Sequence, residues 1–167
     1  MKPKARSCLL VLLLTASCHR GNEPTSPLEP SLPTVQLWSL DWRGSSVTGA
    51  NNCFKQEAQR AIHDEGGTAE ELEITIAGSS IDLYWVPGDI RYSGTLQGAD
   101  FEATAGRGDG SYQCRDGTVF FFHFHVTVDG HFSDDQRQLS AKEVWRYELE
   151  EGGAIAYNYD WIARRVR

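Results

Sequence analysis

The chain has 167 residues, of which 40% are hydrophobic and 23% are charged, and its formal net charge is −7. This length and composition are typical of one globular domain and exclude a wholly disordered chain. The acidic balance also argues against a nucleic-acid partner, because such binding depends on basic side chains that neutralise phosphates.

The N-terminus, residues 1–18 (MKPKARSCLLVLLLTASC), has a basic start, a short apolar run and small residues before Cys18. This pattern indicates an exported signal peptide, since the apolar run is too short to span a bilayer. The segment Thr15-Ala16-Ser17-Cys18 resembles the lipobox of bacterial lipoproteins in its last three residues, whereas Thr15 stands where leucine is usual. The resemblance implies removal of residues 1–17, lipidation of Cys18 and anchoring of the chain to the membrane.

The segment after the anchor begins with His19 and continues as a proline-rich linker over residues 18–34. In enterobacterial lipoproteins an aspartate at the position of His19 favours the inner membrane, so the resemblance implies the outer membrane of a bacterial cell envelope. Four prolines recur at every third residue of the linker, which is the period of the polyproline II helix. The linker would therefore hold a domain at residues 35–167 away from the membrane.

The domain contains short segments of alternating apolar residues that are separated by turn residues. The longest, residues 118–128 (TVFFFHFHVTV), predicts a central strand with its even-numbered side buried. One helical pattern begins at Phe54 and ends at Gly66-Gly67. We predict an all-β, antiparallel meander of about eight strands with one short helix. It would close into a small barrel or pack as a two-layer sandwich.

Several glycines predict interruptions of this pattern. Gly94 lies inside a strand and indicates a bend or a bulge. The glycine-rich residues 106–110 indicate a loose loop, and Asp129-Gly130 indicates the turn that ends the central strand.

The first strand carries Trp38, Leu40 and Trp42 on one face and precedes the meander. This order of strands resembles calycin-type barrels, which implies a barrel fold. The Gly-x-Trp signature of lipocalins is absent, so the resemblance assigns no ligand-binding residues.

Cys53 and Cys114 are the two cysteines of the domain. An even pair in an exported protein predicts a disulfide bond. It would connect the helical segment to the strand before the central one.

His123 and His125 lie two residues apart on the predicted central strand, so both imidazoles point to one face. Such a pair could hold a divalent metal ion if a third ligand were near. The candidates are His131, placed across the predicted Asp129-Gly130 hairpin, and His63 in the helical segment.

Motifs for a serine nucleophile, a phosphate-binding glycine loop or a nucleotide site are absent, so we assign no catalytic residue. We expect a non-enzymatic envelope lipoprotein whose β-domain binds a small ligand or a protein partner, without a cofactor. One alternative is a metal-binding protein or metal-dependent enzyme that uses His123 and His125. Another is a structural subunit of an envelope assembly.

Overall fold

The computed structural model describes residues 33–166, except for the side chains of Ala69 and Glu70. The predicted signal peptide, Cys18 and most of the predicted linker lie outside these residues. Within this part of the chain, none of the helices has both the length and the apolar character needed to cross a membrane.

Eight β-strands and one α-helix form the domain. The helix α1 (Cys53–Ala61) continues into a short 3₁₀ helix (Ile62–Asp64) between the first and second strands. The strands are β1 (Thr34–Gly49), β2 (Gly66–Ala77), β3 (Ser80–Trp85), β4 (Ile90–Gln97), β5 (Asp100–Gln113), β6 (Val119–Phe132), β7 (Gln138–Leu149) and β8 (Ala154–Arg165).

The strands form a closed antiparallel barrel in which each pairs with its neighbours in sequence and β8 pairs with β1. This confirms the predicted all-β meander with one short helix and decides the open choice in favour of the barrel. Alternation places apolar residues inside, and Trp38, Leu72, Ile81, Leu139 and Ile155 are all completely buried.

The two ends of the barrel differ. At the lower end, where β1 begins, Phe132 packs against Trp38 and Phe101 with ring centroids 5.7 and 5.4 Å apart. At the upper end, where β1 ends, the strands are of unequal height. Residues 107–113 of β5 extend along β6, whereas β4 pairs with β5 only over Ser93–Gln97. The wall is therefore lower on the side of β3 and β4.

Helix α1 covers part of this upper end. The side chain of Asn52 accepts a hydrogen bond of 3.0 Å from the Lys55 amide and so caps the helix. Phe54 points into the barrel and stacks on Tyr112 at 4.2 Å between ring centroids. The predicted disulfide is confirmed, because Cys53 at the start of α1 is bonded to Cys114 just after β5.

Two predictions from glycines were wrong. Residues 106–110 lie within β5, and β6 continues through Asp129-Gly130 to Phe132. Gly108 and Gly110 stand opposite Phe124 and Phe122, whose rings lie over them. A Cβ at Gly108 would be 2.6 Å from the Phe124 ring, and one at Gly110 would be 2.8 Å from the Phe122 ring.

Gly94 marks a close contact, and the bulge predicted as one alternative for it is not present in its strand pairing. Its pairing with both neighbouring strands is regular. A Cβ at this position would lie 1.9 Å from the Glu102 carbonyl oxygen, so the two backbones approach too closely for any side chain.

Candidate functional site

The three histidines of the predicted metal site lie on the outer face of β6. His123 and His125 share that face, as predicted. The prediction for His131 was wrong, because β6 continues without a turn and pairs with β7 up to Phe132. At about 3.3 Å per residue, His131 is roughly 20 Å from His125 along the strand, too far to bind the same ion.

His123 and His125 have charged neighbours on the adjacent strands. His123 Nδ1 lies 2.5 Å from Asp109 Oδ1, and this hydrogen bond raises the pKa of His123. His125 stands between Arg107 and Arg146 on the adjacent strands. Flanking cations disfavour a metal cation at this point.

Among residues 33–166, the three potential metal ligands that come together are Cys53, Cys114 and Asp116. Both sulfurs of this group are joined in the disulfide and so are not thiolate ligands. The metal function of His123 and His125 stays a prediction.

The interior of the barrel contains a different candidate, Glu143 of β7. Its side chain is 3% exposed and occupies an inward position between Ala141 and Trp145. Tyr92 of β4 donates a short hydrogen bond from its hydroxyl to Glu143 Oε1. Trp161 of β8 donates from its indole nitrogen to Oε2 at 3.2 Å. Three strands thus converge on one buried carboxyl group.

The electrostatic environment of Glu143 is set by burial. Desolvation raises the pKa of Glu143, and hydrogen bonds from Tyr92, Trp145 and Trp161 oppose this rise. Every one of these three donors is uncharged. Among the described residues, the hydrogen-bond partners of this carboxyl group are therefore all neutral.

Above Glu143 the interior opens to solvent between aromatic side chains. In a closed barrel, inward-facing rings are expected to be fully buried. Several of those in the upper half are partly exposed, so solvent reaches them, whereas Phe120 and Phe122 are buried. We call this region the aromatic cleft. Its half-buried residues are Trp42, Trp85, Phe124, Trp145, Tyr147 and Tyr157, with Tyr159 more deeply buried at 9% exposure.

One wall of the aromatic cleft comes from β1, β3 and β8. The Trp42 ring centroid lies 5.5 Å from that of Trp85 and 5.9 Å from that of Tyr159, with interplanar angles of 64° and 61°. These inclined rings form a corner instead of a flat stack. The indole nitrogen of Trp85 is buried without an acceptor among the described residues. No hydrogen bond therefore fixes this ring within that part of the chain.

The other wall comes from β6, β7 and β8. Phe124 stacks on Trp145 at 5.8 Å, and Tyr147 meets Tyr157 edge to face at 5.3 Å. Burial raises the pKa of Tyr147 to about 12 and that of Tyr157 further, so both rings stay neutral and keep their hydroxyl donors at any physiological pH.

Glu65 brings a second carboxylate to the aromatic cleft from the segment that joins the 3₁₀ helix to β2. The Tyr159 hydroxyl donates to Glu65 Oε2 at 2.5 Å. The negative charge of Glu65 also contributes to the raised pKa values of Tyr147 and Tyr157. Glu65 is therefore close to three tyrosines of the aromatic cleft at once.

Sequence reasoning missed both carboxylates. Glu143 left a visible signal, because it interrupts the apolar side of β7 at the position between Ala141 and Trp145. Glu65 left no such signal, since it lies outside the strands and reaches Tyr159 only through the fold.

No known protein-family model matches the chain, and no curated protein is similar to it. Among solved structures, a mutant of the vaccine antigen transferrin-binding protein B from Haemophilus parasuis Hp5 is similar with a TM-score of 0.36 and 14% identity. The match covers 80% of this chain and 26% of that protein.

Proposed function

We propose that this protein is a bacterial cell-envelope lipoprotein whose barrel binds a small ligand in the aromatic cleft without catalysing a reaction. The observation that carries the proposal is the partial exposure of inward-facing rings such as Trp42, Trp85 and Trp145. Concave sites lined by aromatic side chains with a few polar groups are typical of small-molecule binding. Both oxygens of Glu143 already accept hydrogen bonds from buried side chains of the barrel, which suits a structural role better than acid–base turnover.

The anchor in this proposal is supported by the sequence Ala16-Ser17-Cys18 at the end of the signal peptide. We expect a clickable fatty-acid analogue to label the full chain in Gram-negative cells and the Cys18→Ser variant to remain unlabelled. Cys8→Ser is the matched control, because Cys8 lies in the part that would be removed. Equal labelling of wild type and Cys18→Ser would contradict lipidation at this residue.

The binding part is tested with dansylamide, a small neutral aromatic probe that receives energy from tryptophan. We expect saturable binding to the full chain in dodecyl maltoside, above a blank of empty micelles. Trp85→Ala should weaken it about tenfold, because it removes part of a wall but no internal hydrogen bond.

Phe121→Ala is the matched control for Trp85→Ala. Phe121 lies on the outer face of β6 with 54% of its surface exposed, so its loss should leave the dissociation constant unchanged. Thermal melting establishes that both variants are folded. Non-saturable binding, or the same affinity in wild type and Trp85→Ala, would contradict a site in the aromatic cleft.

A further inference from the structure

The charge and the aromatic faces of the cleft together restrict the chemistry of its ligand. Among the residues whose burial the structure describes, Glu143 is the one buried acidic or basic side chain. Glu65 adds a carboxylate above it. The four ion pairs of the described residues all lie outside the cleft, on exposed side chains. Glu65 therefore places a carboxylate beside the tyrosines of the aromatic cleft.

Aromatic faces add to this negative character. The π face of a tryptophan or tyrosine ring carries negative electrostatic potential and attracts a cation within about 6 Å of its centre. Trp42 meets Trp85 and Tyr159 at angles of 64° and 61°, so the three rings lie in different planes. An arrangement of inclined rings beside a carboxylate suits a bulky, weakly hydrated positive group.

We propose that the ligand of the aromatic cleft is an organic cation, a quaternary ammonium or alkylated amine, held between the faces of Trp42, Trp85 and Tyr159 and the Glu65 carboxylate. This inference rests on the proposed function, because it specifies the ligand of the same site. An anionic ligand would meet repulsion from the Glu65 carboxylate. A neutral ligand would contact the rings but would gain no electrostatic attraction from the Glu65 carboxylate.

The negative charge of the Glu65 side chain is expected to favour a cation over a neutral ligand. Its Oε2 accepts the Tyr159 hydroxyl, which leaves Oε1 for an electrostatic contact with a ligand in the cleft. A Glu65→Gln substitution keeps an oxygen that can accept the Tyr159 hydrogen bond and removes only the negative charge. The variant therefore separates charge recognition from the local structure.

The test compares choline with 3,3-dimethylbutan-1-ol, in which a neutral carbon replaces the quaternary nitrogen. Both are titrated into the full chain in dodecyl maltoside while tryptophan fluorescence is recorded. We expect choline to bind at least about tenfold more tightly than its neutral counterpart. In Glu65→Gln this preference should fall to near unity, with the melting temperature little changed.

Glu102→Gln is the matched control, because Glu102 lies on the exposed outer face of β5 and carries the same charge. It should keep the full preference for choline. Equal affinities for the two compounds, no binding of choline, or a preference that survives in Glu65→Gln would overturn the inference. Dansylamide binding that persists in those cases shows that the proposed function stands while the ligand class is wrong.

Discussion

Removing the Cys53–Cys114 disulfide should lower the free energy of unfolding by about 4 kcal/mol. The two cysteines are separated by 61 residues, so the bond prevents the unfolded chain from opening a long loop. In the chain-entropy description the effect grows with the logarithm of loop length. A barrel domain of this size is expected to have a total stability of about 5–15 kcal/mol, so the loss is a large fraction of it.

The measurement is urea unfolding of the Cys53→Ala/Cys114→Ala variant, followed by tryptophan fluorescence. Wild-type protein in a reducing agent is the matched control, because it loses the same bond without a change of sequence. Both should show the lower stability. A loss below about 1 kcal/mol in either case would contradict the loop-entropy account and would indicate that the unfolded chain is already restricted.

The strands could be predicted because the alternation of apolar residues is a local signal. The disulfide could be predicted because the domain contains two cysteines. For example, the alternation of Ile155, Tyr157 and Tyr159 predicted a strand, and these residues lie in β8. Two cysteines in a domain that is expected to be exported permit one pairing. The choice between barrel and sandwich depends on whether the first and last strands meet, and no local signal in β1 or β8 reports that contact.

The glycine errors have one physical cause. Each glycine was interpreted as a turn or bend residue. In the barrel, the absence of a side chain instead leaves room for the neighbouring strand. Gly108, Gly110 and Gly130 each stand opposite a phenylalanine whose ring covers the strand. This relation between two strands depends on register, which the sequence of one strand does not contain.

The candidate site was missed for a related reason. The histidine pair attracted attention because two imidazoles lie close in sequence, but both are on the outside of the barrel. The interior site brings Tyr92, Glu143 and Trp161 together from β4, β7 and β8, over separations of 51 and 18 residues. A single-sequence argument identifies which side of a strand is apolar but cannot tell which strands face one another across a barrel.

Replacing Phe54 with alanine should cost about 3–5 kcal/mol of stability, which is the usual range for a buried phenylalanine. Phe54 is 2% exposed and is the ring by which α1 enters the barrel. Five aromatic side chains surround it, at centroid distances of 4.2–6.3 Å: Tyr112, Phe120, Phe122, Tyr147 and Tyr157. Alanine would leave a cavity among rings that belong to different strands.

Phe121→Ala is again the matched control, since Phe121 is an exposed phenylalanine on a neighbouring part of the same barrel. It should change the stability by no more than about 0.5 kcal/mol. Circular dichroism and tryptophan fluorescence are followed together in urea. All five tryptophans of the chain lie in strands, so their fluorescence reports on the barrel and not on α1.

The two signals distinguish a helix that is part of the barrel core from one that acts as a detachable lid. Because Phe54 packs on rings from β5, β6, β7 and β8, the barrel should lose stability together with the helix. Both signals should then shift to the same lower urea concentration in Phe54→Ala. A loss of helical signal with an unchanged tryptophan midpoint would contradict this and would make α1 a lid over the aromatic cleft.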